Sequence, residues 1–543
     1  MKNNRNDKNG VGLSTFYDVF KTLESNRESA IHFFSRDNSS NSGLALKERR
    51  KLFTDIHEDI QICYNNLAKI GINNNSVVGL NIENSYYFFV CDFALILMGA
   101  TTVLHSKNDP VEQLKNRIDL FHIDYLISRE NVPAVPEDIC PVIELNQLFD
   151  TGAARVEIKK RLLENRDFSI VFSSGTSGIP KGLSVSEHGS IESGKLFFNW
   201  MNFSNTDKFL IYLPLASYQQ RFLMWSCLIK NVDIVLVDDK TLFKGLETFK
   251  PTILIAPPNF YFNLYRINTG SAIKQFIREL LPYNKKSKLL KFIARSYTYR
   301  PLYKALGGKT RYLITGMAPV DIKILEHFEK GYLDIYQIYG QTEIGMIACN
   351  KLGANKLGTV GRPIIKIHLA DDDEIITNSN FPTIKAYYLE NVKRVELGKQ
   401  IPTGDVGNID QDGYLSIKGR KNETIILKSG VKINPALIEN RIKSKVNIDE
   451  VIIFKSDGSH MKTDLNVTIL AKSPGVDNIE MNKIKGVILN EPEIKQNSEK
   501  VSILTYSIKK EDRKIMYTEN NKFSRARTLE LLKRNYRELK LIG

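Results

Sequence analysis

Up to about residue 420 the chain alternates two kinds of hydrophobic pattern. Short apolar runs bounded by glycine, proline or polar residues predict buried strands. Examples are SVVGLNI (Ser76 to Ile82), FLIYLPL (Phe209 to Leu215), DIVLVD (Asp233 to Asp238), TILIAPP (Thr252 to Pro258) and RYLIT (Arg311 to Thr315). Stretches with helical spacing lie between them, and the alternation predicts α/β layers around a largely parallel sheet. One run is longer. YYFFVCDFALILMGATTVLH (Tyr86 to His105) approaches the length of a membrane span, but Asp92 inside it and Gly99 towards its end predict a buried helix running into a strand.

The first strong break in composition is IPTGDVGNIDQDGYLSIKGRKNE (Ile401 to Glu423), dense in Gly, Asp and Asn. Beyond it the chain has strands of its own, VIIFK from Val451 and LNVTILA from Leu465, with further helices. The expected fold is α/β: a large N-terminal domain of layered sheets and helices over residues 1–420, and a small α+β C-terminal domain over residues 421–543.

Composition narrows the class. The 543 residues are 42% hydrophobic and 25% charged, as in a folded soluble protein of more than one domain. MKNNRNDKNG at the N-terminus lacks the apolar core of a secretory signal. Cysteines 63, 91, 140, 227 and 349 are odd in number and include no C-x-x-C pair, which argues against a disulfide framework or structural zinc and for a reducing cytoplasm. The net charge of +15 raises nucleic acid as a partner. Its densest clusters, KKSKLLK (Lys285 to Lys291) and KRNYRELK (Lys533 to Lys540), are not interleaved with aromatics as a stacking platform would be, so no nucleic-acid partner is expected.

SSGTSGIPKG (Ser173 to Gly182) follows the apolar run FSIVF. Its glycines let backbone amides approach an anion, its hydroxyls add donors and Lys181 adds charge, although such a loop taken alone is equally a flexible connector. It is not a Walker loop, which needs Gly before the lysine and Ser or Thr after it, where this chain has Pro180 and Gly182. Four further motifs follow in order: IYGQTEIG (Ile338 to Gly345), PTGDVG (Pro402 to Gly407), DGYLSIKGRKNETIILKSGVKINPALIE (Asp412 to Glu439) and TENNKFSRARTLELL (Thr518 to Leu532). Together the five motifs resemble the adenylate-forming superfamily of acyl- and aryl-CoA synthetases, luciferases and peptide-synthetase adenylation domains. The stretches LPLASYQQR (Leu213 to Arg221), TILIAPPNFYFNLY (Thr252 to Tyr265) and GGKTRYLITGMAPV (Gly307 to Val320) look most like acyl-CoA synthetases, as does the K-x-x-R of KFSR.

The resemblance implies that a carboxylate attacks the α-phosphate of ATP, releasing pyrophosphate and leaving an acyl-adenylate that a thiol then captures. Positioning and charge dominate such chemistry. Ser174, Gly175, Thr176, Ser177, Gly178 and Lys181 would hold the β- and γ-phosphates. Tyr339 would lie on the adenine, with Gly316 and Ala318 beside it. Thr342 would touch the α-phosphate, and Glu343 would hold Mg²⁺. Asp405 would accept the ribose hydroxyls, and Arg420 would contact ribose or phosphate. Asn422 would be the hinge about which the mobile C-terminal domain brings Lys522 into the site.

Four departures mark this chain. Ser217 and Tyr218 stand where the family often has a histidine gate, Met317 where it has Gly or Ala, Ile426 where it has a lysine that assists thiol capture, and TENN precedes Lys522 without proline or glycine. Met317 is expected to narrow the acid pocket and favour a shorter or differently routed chain. The expected substrate is a fatty or other apolar acid, partly because the region from Ile344 to Ile347 is apolar. ATP and Mg²⁺ are the expected cofactors, with CoA or phosphopantetheine as acceptor. A carrier-protein loading or amide-forming ligase is the alternative enzyme, and a non-catalytic nucleotide-binding homologue the alternative of another class.

Overall fold

The computed structural model describes residues 12–37, 45–106, 111–129, 135, 140–149, 154–160, 167–172, 181–269, 299–388, 393–426, 432–446, 448–455, 465–471, 478–495, 501–517 and 523–541. Two large sheets dominate. The nine-stranded sheet has a parallel centre made by Ala30–Asp37, Asp233–Leu236, Lys208–Ile211, Ile253–Ala256, Tyr312–Thr315 and Ile335–Gln341. The eight-stranded sheet is parallel through Val142–Glu144, Tyr125–Ser128, Val77–Asn81, Thr101–Leu104 and Ser169–Phe172. It then turns antiparallel through Gly182–Val185, Ile384–Tyr388 and Arg394–Glu396. Parallel strands covered on both faces are mostly apolar: Ile253–Ala256 and Thr101–Leu104 are buried at every position, the Thr101 and Thr102 hydroxyls donating to the Asp167 and Phe168 carbonyls.

The long apolar run divides as its sequence predicts. Ser85 caps the helix Tyr86–Met98, Gly99 ends it in the left-handed conformation at φ +81°, and the strand Thr101–Leu104 follows. Every residue of that helix except Tyr87 is buried. It joins Glu187–Met201 and Tyr218–Ile229 in one core with side chains of both large sheets. Asp92 is tolerated there because Arg221 grips it with two bonds, Nε to Oδ2 at 3.1 Å and Nη2 to Oδ1 at 2.6 Å, and spends its remaining arm on Ser169 Oγ at 2.7 Å. Among the described residues no helix is long and apolar enough to cross a membrane.

The α/β alternation ends earlier than the sequence pattern suggests. Between Lys330 and Pro435 the described elements are strands and one short 3₁₀ turn. Lys366–Leu369, Glu374–Asn378, Gln400–Ile409 and Leu415–Arg420 form a third, wholly antiparallel sheet. Antiparallel neighbours need only a tight turn, and the Asp- and Gly-rich connections supply it. At Asp410 to Tyr414 the Asp410 carboxylate accepts from the Tyr414 amide at 2.9 Å and Gly413 takes φ +79°. From Ile425 onward the buried side chains gather in clusters of their own, around the sheet Glu450–Lys455, Leu465–Ala471, Val501–Ser507 and Lys540–Leu541.

Candidate active site

IYGQTEIG becomes the hairpin between Ile335–Gln341 and Gly345–Cys349, with a register shift at Tyr339/Gly340. Both glycines are required by close approach. A Cβ on Gly340 would lie 2.5 Å from the Gly345 carbonyl oxygen, and one on Gly345, which sits at φ +90°, would lie 2.3 Å from Ser193 Oγ. Thr342 and Glu343 therefore sit at a tightly built turn beyond the carboxyl end of a parallel strand, the usual ligand position in such sheets.

The third sheet delivers Asp405 and Arg420 as directly opposed residues of an antiparallel pair. Arg420 Nε lies 2.9 Å from Asp405 Oδ1. The other carboxylate oxygen accepts from Tyr339 Oη at 2.6 Å and from Gln341 Nε2 at 2.9 Å. Gln341 and Arg420 both reach the Thr403 carbonyl, at 2.8 and 3.3 Å. Burial, reinforced by the Asp405 charge, pushes the Tyr339 phenol upward, so it stays a donor. Three residues from two motifs, Tyr339, Gln341 and Arg420, thus close on the carboxylate of a third.

Burial raises the Glu343 carboxyl above its ordinary 4.5, and the nearby charges of Arg420 and Lys181 oppose that rise. Lys181 is exposed at the start of Gly182–Val185. Among the described residues there is no group of three or more His, Cys, Asp or Glu able to enclose a metal. A single half-buried carboxylate, next to Thr342 in the chain, suits Mg²⁺ that arrives already bound to phosphates and water. Gly316 follows the strand Tyr312–Thr315, where a Cβ would come 3.1 Å from the Ile338 carbonyl oxygen. Met317 is half-buried against the second apolar cluster and holds φ +72°, a left-handed conformation unusual for a long side chain, while Ala318 is exposed. Asn440 Nδ2, on the helix Pro435–Lys445, donates to the Pro319 carbonyl at 3.3 Å and sets the C-terminal region beside this loop.

Ser174, Gly175, Thr176, Ser177, Gly178 and Lys522 lie outside the described residues, as do Lys428 and the TENN stretch. Their anchors are described. Phe172 pairs with Gly182, so the phosphate-loop segment joins two antiparallel strands. A Walker loop instead joins a strand to a helix. Tyr517 and Phe523 form a bridge on either side of the Lys522 segment. Arg525 then binds the buried Glu439 and the Ile453 carbonyl, and its Nε lies 3.9 Å from Glu423, the residue after Asn422.

Ile344 and Ile347 are buried in a cluster with Ile401 of the third sheet, so the apolar region from Ile344 to Ile347 is built into the core beside the hairpin. Ser217 stands at the N-terminal boundary of the helix Tyr218–Ile229 without a side-chain capping bond, and Tyr218 is buried with its phenol 2.9 Å from Ser190 Oγ. Ile426 is exposed. Sequence reasoning gave no role to Gln341, although it stands inside YGQTE, or to Asp167. The buried Asp167 accepts from Ser184 and Tyr388 and pairs with Lys385 at 2.9 Å, tying together the strands that flank the phosphate loop. Burial would raise its carboxyl, but these donors outweigh it and hold it below the ordinary range.

This arrangement of sheets and charged groups defines a nucleotide-binding enzyme with a mixed α/β core. Residues 44–377 match the AMP-binding enzyme family, and the chain belongs to it. Over 434 residues the chain is 26% identical to the long-chain-fatty-acid–CoA ligase FadD15 of Mycobacterium bovis, covering 71% of this chain and 72% of that one. Over 430 residues it is 23% identical to the 2-succinylbenzoate–CoA ligase of Listeria monocytogenes, covering 76% and 82%. Among solved structures it superposes on the o-succinylbenzoate CoA synthetase of Bacillus subtilis in complex with its acyl-adenylate at TM-score 0.70 and 16% identity, covering 94% of this chain and 97% of that one. It also superposes on the McyG A-PCP structure complexed with phenylalanyl-adenylate at TM-score 0.74 and 18% identity, covering 96% and 84%. The fold is that of the adenylate-forming enzymes.

Proposed function

We propose that this enzyme activates a carboxylic acid with ATP as an acyl-adenylate, releases pyrophosphate, and transfers the acyl group to the thiol of CoA. The observation that carries the reading is the closure of Tyr339, Gln341 and Arg420 on Asp405, with Lys181 and Glu343 in electrostatic reach. Asp405 takes the ribose hydroxyls, a role suited to an ionised carboxylate, which only accepts. Tyr339 covers the adenine, with Gly316 and Ala318 at its edge. Thr342 meets the α-phosphate, and Lys181 with Ser174, Gly175, Thr176, Ser177 and Gly178 holds the departing β- and γ-phosphates. Glu343 holds Mg²⁺, which neutralises phosphate charge when bound. Residues 421–543 turn about Asn422 and carry Lys522 to the reacting carboxylate and α-phosphate.

The acid is fatty or otherwise apolar. The FadD15 likeness and the apolar Met317 beside the site support this, whereas the 2-succinylbenzoate ligases among the relatives favour an aromatic dicarboxylate. Loading of a carrier-protein phosphopantetheine is the second reading, favoured by the fold likeness to an A-PCP pair. The proposed compartment is the cytoplasm.

The test is pyrophosphate exchange over a panel of fatty and aromatic acids, followed by product mass with CoA, with a carrier protein or with amines. Acid-dependent exchange and an acyl-CoA product are expected, with exchange falling about a hundredfold in Lys522→Ala. ATP binding without exchange for any acid would instead indicate a non-catalytic nucleotide-binding protein.

A further inference from the structure

Thr383 is fully buried at the start of the strand Ile384–Tyr388, in none of the five motifs. It joins the two halves of the site. Its Oγ1 donates to the Thr342 carbonyl at 2.6 Å, and the next amide, Ile384 N–H, donates to the Glu343 carbonyl at 3.1 Å. Its own carbonyl accepts from the Ser186 amide at 2.8 Å, just beyond the strand Gly182–Val185 that begins after Lys181. Its methyl group lies 3.1 Å from where a Cβ on Gly345 would be. The Thr342–Glu343 turn belongs to the nine-stranded sheet and the Lys181 strand to the eight-stranded one. Two hydrogen bonds from one short segment therefore hold the turn, and a third fixes that segment to the sheet bearing Lys181.

We infer that Thr383 is a positioning residue: its hydroxyl sets the place of Thr342 and Glu343 relative to Lys181, so that the α-phosphate and metal contacts and the β,γ-phosphate contacts keep a fixed separation. Buried backbone carbonyls in a low-dielectric site lose orientation when their donor is removed, and catalysis by positioning is sensitive to displacements well under an ångström. The inference rests on the adenylation reading above.

Thr383→Val keeps the shape and removes the hydroxyl, while Thr383→Ser keeps the hydroxyl. Exchange is measured against Mg²⁺ and acid concentration, and Mn²⁺ binding in the presence of ATP is read directly by electron paramagnetic resonance. Thr383→Val is expected to lower kcat about tenfold, raise the Mg²⁺ concentration for half-maximal rate and the Mn²⁺ Kd several-fold, and leave the KM for the acid within about twofold. Thr383→Ser is expected to restore all three. If Thr383→Val is insoluble, Thr383→Ala makes the same comparison. A variant that loses melting temperature while its Mg²⁺ and Mn²⁺ dependence stays that of the parent overturns the inference. Glu343→Gln is run alongside: if it shifts the metal dependence and Thr383→Val does not, the positioning role fails alone. If neither shifts it, the assignment of Glu343 fails and takes this inference with it.

Discussion

The Tyr339 phenol donates to the Asp405 carboxylate at 2.6 Å, a bond between side chains carried by two different sheets. It fixes the carboxylate on one side while Arg420 fixes it on the other. Tyr339→Phe keeps the ring and removes the donor, so ATP affinity should fall about threefold to tenfold, the range of one ordinary hydrogen bond. Asp405→Asn should cost about tenfold or more, and the discrimination between ATP and 2′-deoxy-ATP should shrink. Calorimetric titration of both nucleotides checks this, and unchanged discrimination in Asp405→Asn would remove the ribose assignment.

Glu343 binds its proton more tightly than an ordinary glutamate because burial disfavours the charge. Metal capture requires the ionised form, so exchange at limiting Mg²⁺ should rise with pH across a window above 4.5, and Glu343→Gln should lose that dependence. The stability effect has the opposite sign. The folded state binds more protons than the unfolded state between the two pKa values, so stability falls as pH rises through that window. Glu343→Gln should therefore be more stable than the parent at neutral pH without ligand, as read by chemical denaturation at two pH values.

Arg221 and Asp92 are 1% and 2% exposed, and each is the other's compensation for burial. Arg221→Met alone should destabilise by about 3–5 kcal/mol, because it leaves an unpaired carboxylate in the core. Replacing both, as Asp92→Leu with Arg221→Met, should recover much of the loss. Urea unfolding of the three variants measures the coupling, and additive losses would show that the pair is not coupled.

Met317 at φ +72° occupies a conformation that costs a non-glycine residue about 1–2 kcal/mol. A strained, half-buried side chain at the proposed pocket is expected to limit the acid. Met317→Gly should relieve the strain and move the adenylation optimum towards longer or bulkier acids. Initial rates across chain lengths decide it: palmitate-like acids already optimal in the parent would refute the narrowing.

Much of the proposed site rests on strings that were legible because their backbone demands are local. Asp405 in TGD, Glu343 in YGQTE and Lys181 in the phosphate loop each stand in a short string whose backbone demands are visible: Gly340 and Gly345 allow a turn no side chain would fit. The strands at Val77–Asn81, Asp233–Leu236 and Tyr312–Thr315 were legible for a similar reason, since a strand buried on both faces is mostly apolar. Long-range pairing was not legible. Asp92 and Arg221 are far apart in the chain, and neither string announces the other. The isoleucines at 344 and 347 read only as an apolar stretch, and their packing against Ile401 of the third sheet is a tertiary fact. Thr383 carries no motif at all, and its meaning comes only from the carbonyls and amide that two sheets bring to it. The sequence by itself determined the short strings on which the proposed nucleotide site rests, because each is tied to a local backbone requirement. Only the tertiary structure decided their separations and partners, because those depend on how sheets distant in the chain pack together.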